Sequence, residues 1–176
     1  DAVGRERQDP RSLRTLKDAV IAAVAALDAP ATIPFLTRVW RDEPGARTLL
    51  AAAMENTTRK EFLSFIRGIL PLTSQDQYLS LLKACGRIGF DAAALPLFRT
   101  GFDRFREYGV SPAPLVDGLA GLPADAQLGE LKRLLGLPVL DFKTLAAVNR
   151  VAAPLRAAAL APLVHARMAR SGVDLQ

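Results

Sequence analysis

The chain holds one histidine, His165, and one cysteine, Cys85. His165 sits in the run Leu163-Val164-His165-Ala166-Arg167, with no acid nearby in sequence to orient the ring, so it reads as a surface or half-buried imidazole rather than a general base. A thiol nucleophile needs an adjacent base, and Cys85 ends an apolar helical stretch without one, so it reads as a small core residue. One cysteine and one histidine cannot build a zinc site from this chain alone. The acid pairs Asp42-Glu43 and Asp103 with Glu107 lie among arginines and read as surface ion pairs. Gly86-Arg87-Ile88-Gly89 and Gly118-Leu119-Ala120-Gly121 lack the spacing of a phosphate-binding loop. They read as helix ends, or as small faces where helices cross. No catalytic, metal or cofactor site is expected.

Charge offers a different chemistry. The net charge is +5, and residues 142–173 contain no acid. That stretch carries Lys143, Arg150, Arg156, Arg167 and Arg170, the whole surplus, while the rest of the chain balances at 18 bases and 18 acids. On an ideal helix at about 100° per residue, Arg156, Arg167 and Arg170 fall within half a turn. Such a cluster can contact phosphates, with an affinity that falls as salt rises. Arg99 and Arg106 share a second helical face, distinct from that of Phe98, Phe102 and Phe105, which are expected in the core. The candidate RNA-contacting residues are therefore Lys143, Arg150, Arg156, Arg167, Arg170, Arg99 and Arg106. A solvated face, or arginine inflated by GC-rich coding, remains the plain alternative. A membrane-surface helix fits poorly, because the last block is Ala-rich and lacks Trp and Phe.

The elements that must position these side chains are helical. Ala (30) and Leu (28) make up a third of the 176 residues, and both lose little side-chain freedom in a helix. No stretch alternates with a strand period. Leu13, Leu16, Val20, Val24 and Leu27 step by three and four, as one face of a helix does. Pro and Gly cut the chain into about ten such blocks of 10 to 19 residues. Asp91, Asp125 and Asp141 are expected to open helices, Thr57 or Thr58 to cap another with Glu61 as its partner, and Pro162 to kink or split the last block. The expected fold is all-α: an α-solenoid or an irregular array of short antiparallel helices. Residues 1–10 read as a polar tail, 11–172 as one helical-repeat domain and 173–176 as a C-terminal tail. A start at Asp1 rather than Met suggests a processed or partial chain. No apolar run reaches the ~18 residues of a membrane span.

Internal echoes are weak. Residues 62–69 match 78–85 in type, 16 positions apart, and Leu79 and Leu82 correspond to Val116 and Leu119 at a spacing of 37. The stretch from Tyr78-Leu79-Ser80-Leu81-Leu82-Lys83-Ala84-Cys85-Gly86, through Leu97-Phe98 and Tyr108-Gly109-Val110-Ser111-Pro112, to Leu115-Val116-Asp117-Gly118-Leu119 resembles the helical-hairpin repeats of organellar RNA-metabolism proteins. These are the pentatricopeptide class and its octotricopeptide and heptatricopeptide relatives. The resemblance covers about 45 of the 176 residues. It implies a mitochondrial or plastid location and a non-catalytic role in a ribonucleoprotein, such as a mitochondrial ribosome or RNA-processing complex, with rRNA or mRNA backbone and protein subunits as partners. Leu79 stands where a base-reading polar residue would be, so no sequence-specific readout is implied. A HEAT-like scaffold or adaptor that binds only proteins is the second expectation, and a secreted bacterial effector or chaperone the third. Salt-dependent RNA binding separates the first two.

Overall fold

A computed structural model describes the backbone of residues 10–155 and 160–170, with side chains described in that span except at 10–13, 161, 168 and 170. All regular structure among these residues is helical, as the composition leads one to expect. There are ten α-helices: α1 (Pro10–Ala26), α2 (Ile33–Asp42), α3 (Arg47–Met54), α4 (Phe62–Ile69), α5 (Gln75–Ile88), α6 (Leu95–Glu107), α7 (Ala113–Asp117), α8 (Ala124–Leu135), α9 (Phe142–Ala152) and α10 (Ala161–Arg170). Most are shorter than the sequence blocks, because 3-10 turns replace their ends, often at a proline (Pro30, Pro44, Pro71, Pro154). Pro162 stands in the first turn of α10, where its missing N–H costs nothing, so it opens a helix instead of kinking one.

Capping follows the sequence at Asp91 and Asp141 and departs from it at Thr57 and Thr58 and at Asp125, which lies in the first turn of α8 without capping it. Asp91 Oδ1 accepts the Ala94 N–H at 2.7 Å, and Asp141 Oδ1 accepts the Thr144 N–H at 3.0 Å, each meeting a donor that the helix start leaves unbonded. Thr57 and Thr58 do not cap α4. Their hydroxyls donate to the Asp28 carboxylate, and the Thr58 N–H donates to Asp28 Oδ2 at 3.1 Å.

The chain divides into two compact units, residues 1–81 and 82–176, and the division falls within α5. In the first unit α1 packs on α2 and α3, and α2 on α3 and α4. Its core holds Ile21, Leu36, Trp40, Leu50, Met54 and Phe62. Asp28 clasps this unit from the turn after α1, with a left-handed φ of 48°. Aspartate tolerates that region better than most residues do. We expect Asp28→Ala to cost roughly 1–2 kcal/mol in urea unfolding. Asp28→Gly should cost less, because it loses the same acceptors but relieves the backbone. Equal losses would show that the backbone conformation carries no strain.

In the second unit α7 packs on α6 and α9, and α8 on α9 and α10. Phe98, Phe102 and Phe105 are fully buried, with Phe90 set edge-on to Phe98 at 5.4 Å. The glycine pairs mark a helix crossing. The end of α5 lies so close to α7 and the turn after it that Cβ atoms at Gly86 or Gly118 would overlap backbone, and the Phe90 N–H donates to the Gly118 carbonyl at 2.8 Å.

Candidate functional site

Of the five candidate cations whose side chains are described, three have partners within the chain. Arg150 reaches back from α9 to Asp117 on α7, with Nη2 2.9 Å from each carboxylate oxygen and Nε 3.1 Å from Oδ1. Arg99 on α6 donates from Nε to Glu130 Oε1 on α8 at 2.9 Å. Arg167 is buried on α10 and has a partner. Arg156, and the side chain of Arg170, lie outside the described residues. The acid-free stretch is thus acid-free only along the chain, since Asp117 supplies Arg150 with a carboxylate from 33 residues earlier.

Lys143 and Arg106 are the two that do meet. Both are exposed, and neither joins a salt bridge among the described residues. They line an open groove of about 720 Å³ formed by the end of α6, residues 109–112 and residues 139–143. Val139 and Phe142 stand beside them at 66 % and 67 % exposure. Asp141, also in the lining, is occupied within the fold. Its Oδ1 accepts the Ser111 hydroxyl at 2.8 Å and the Thr144 N–H, and its Oδ2 accepts the Thr144 hydroxyl. Partial burial alone would push its carboxyl up, but hydrogen bonds from Thr144 and Ser111 outweigh that and hold it below the usual value. The groove therefore offers two exposed cations, one carboxylate bonded within the fold and an exposed aromatic ring.

His165 is exposed on α10, and Cys85 is fully buried. Asp42 pairs with Arg41, Glu43 with Lys17, and Glu107 with Arg104. Among the described residues no group of three His, Cys, Asp or Glu side chains is placed to hold a metal, and no helix is long and apolar enough to cross a membrane.

Sequence reasoning missed Val139 and Phe142, because each is one apolar residue in a helix-boundary segment whose burial depends on a neighbouring turn. It also missed Glu130, whose buried carboxylate joins Arg99 to Arg133. The remaining signal was a near-repeat: Asp28-Ala29-Pro30-Ala31-Thr32-Ile33-Pro34-Phe35 echoes Asp91-Ala92-Ala93-Ala94-Leu95-Pro96-Leu97-Phe98, 63 positions on. The fold defines an all-α protein; no protein-family model, no curated protein and no solved structure matches the chain.

Proposed function

We propose that the hairpins within each unit stack as an α-solenoid, and that the protein is a non-catalytic, HEAT-like scaffold that binds protein partners in a larger assembly. The supporting observation is a ladder of side-chain links between segments about 30 residues apart. Thr48 meets Gln77 at a separation of 29, Asp28 meets Thr58 at 30, Ser111 meets Asp141 at 30, Arg99 meets Glu130 at 31 and Asp117 meets Arg150 at 33. Helices also pack on the next helix but one: α1 on α3, α2 on α4, α7 on α9 and α8 on α10. Nearest-neighbour stacking of repeats generates both patterns, and its product is an extended surface for partners. Exposed Val139 and Phe142 favour a protein partner in the groove of the second unit, since aromatic anchors dominate protein contacts.

One observation favours RNA in an organellar ribonucleoprotein instead: Arg106, Lys143 and exposed Phe142 share a groove. Cations beside an aromatic ring suit single-stranded RNA. Two phosphate contacts, however, give a salt slope of only about −1.4 on a single strand. Arg99 and Arg150 already serve this chain's own acids.

A photo-crosslinking residue at position 142, in cells that make the protein, separates these partners. The expected product is a discrete protein adduct that survives ribonuclease. An RNA adduct overturns the proposal, most clearly if the purified chain binds RNA with a salt dependence that weakens in Arg106→Ala and Lys143→Ala.

A further inference from the structure

The groove at the end of α6 is held open by bonds of its own. α6 runs into Gly109, whose left-handed φ of 68° suits glycine above other residues. The turn there lets the Val110 N–H donate to the Phe105 carbonyl at 2.8 Å. One residue on, the Ser111 hydroxyl donates to Asp141 on the other wall, and Asp141 caps α9. The two walls are tied to each other before anything binds, so a ligand that enters does not have to order them.

The charges still open to a ligand are both positive. Both Asp141 oxygens accept from Ser111 or Thr144, and Glu107, next to Arg106, is bonded to Arg104. Arg106 and Lys143 are exposed and join no salt bridge among the described residues. Arg106 stands on the α6 wall and Lys143 in the first turn of α9, on the wall that also carries exposed Val139 and Phe142. A complementary ligand therefore brings acidic groups and a large apolar group together. Single-stranded nucleic acid relies on successive rings for stacking, and Phe142 is the one ring among the described residues that line this groove.

Resting on the reading of this groove as a protein-binding site, we infer that its occupant is an acidic peptide segment of the partner. Carboxylates of the segment meet Arg106 and Lys143, and a large apolar side chain beside them packs on Val139 and Phe142. The cations select the sign of the segment, and the apolar contact supplies the anchor.

A phage-displayed library of random peptides, selected on the immobilised full chain, tests the inference. The expected enrichment is of Asp and Glu next to Leu, Ile, Phe or Trp. The best peptide, labelled and titrated by fluorescence anisotropy, should bind more weakly as salt rises. Arg106→Glu with Lys143→Glu should raise its dissociation constant about tenfold or more, and Phe142→Ala about tenfold. Lys60→Glu with Arg67→Glu, at two exposed positions of the first unit, makes the same change in net charge and should leave the affinity unchanged. Thermal melts matching the wild type establish that the variants are folded. A library that shows no acidic enrichment overturns the inference. So does a selected peptide whose affinity ignores Arg106 and Lys143, or falls equally with Lys60 and Arg67. If position 142 still crosslinks to a protein in those cases, the groove remains a protein site and only the acidic occupant is lost; an RNA adduct at 142 removes both.

Discussion

Gly86→Ala is expected to destabilise the protein by about 3 kcal/mol, whereas Gly129→Ala should stabilise it by about 0.5–1 kcal/mol. Both glycines are helical, in α5 and α8, so helix propensity alone predicts a gain for both. What differs is the space around them. A Cβ on Gly86 would overlap the Pro114 carbonyl group, 2.8 Å from its carbon, and would sit 3.2 Å from the Leu115 Cα. These are backbone atoms of α7 and cannot rotate aside, so the two segments would have to separate. Separation would strain the hydrogen bond from the Phe90 N–H to Gly118 and loosen Leu115, Val116 and Leu119, all fully buried. A Cβ on Gly129 meets nothing within 4 Å. Gly118→Ala belongs to the same crossing, since its Cβ would lie 2.7 Å from the Gly86 carbonyl oxygen and 2.8 Å from the Gly86 Cα. Once one substitution has spread the helices the other is cheaper, so the double variant should lose less than the sum of the two. Urea unfolding of the four variants checks this. Simple additivity would mean that the two glycines do not share one contact.

The same crossing shows what could be read along the chain. Gly86 and Gly118 were legible as helix ends or crossing faces because small residues recur there, and Phe98, Phe102 and Phe105 were legible as core because they fall on one helical face. Asp91 and Asp141 announce helix starts through a local hydrogen bond that needs no knowledge of the rest of the fold. The ladder of links was not legible, because its rungs use different chemistry: an aspartate with threonines at Asp28, an arginine with a glutamate at Arg99, a serine with an aspartate at Ser111 and an aspartate with an arginine at Asp117. No pairing of residue types recurs in the same order, so sequence comparison finds echoes at 16 and 37 while the side chains connect at about 30. The acid partner of Arg150 was hidden for a related reason. Local charge counting sees no acid within residues 142–173, yet the packing of α7 on α9 delivers Asp117 to Arg150.

Glu130→Gln is expected to cost about 2 kcal/mol at neutral pH and to flatten the acid side of the stability profile. Glu130 is 3 % exposed and its two oxygens serve different arginines. Oε1 accepts from Arg99, and Oε2 accepts from Arg133 Nε at 2.8 Å. The Arg133 guanidinium rests 6.0 Å from the Phe98 ring centre and 5.9 Å from that of Phe102, with Nη2 buried and lacking a hydrogen-bond partner among the described residues. Glutamine replaces one acceptor by an NH2 group, which would face a guanidinium donor, and it removes the charge that balances Arg133. Burial by itself would raise the Glu130 carboxyl, but the hydrogen bonds and charges of Arg99 and Arg133 outweigh it and hold the group below the ordinary carboxylate value. A carboxyl lowered by folding contributes stability that is fully present above its unfolded pKa and is lost as pH falls through the folded one. The wild type should therefore weaken progressively below the ordinary glutamate value of 4.5. Glu130→Gln starts lower and declines less, so the two profiles converge in acid. A residual slope should survive in the variant, because Asp28 and Asp141 are lowered in the same direction. The two arginines separate the causes. Arg99 is half-exposed and water can stand in for it, so Arg99→Gln should cost little. Arg133→Gln should cost more, since it strips the carboxylate of its less exposed partner and the two rings of their cation. Parallel pH profiles for wild type and Glu130→Gln would show that this carboxylate is not held down by its arginines.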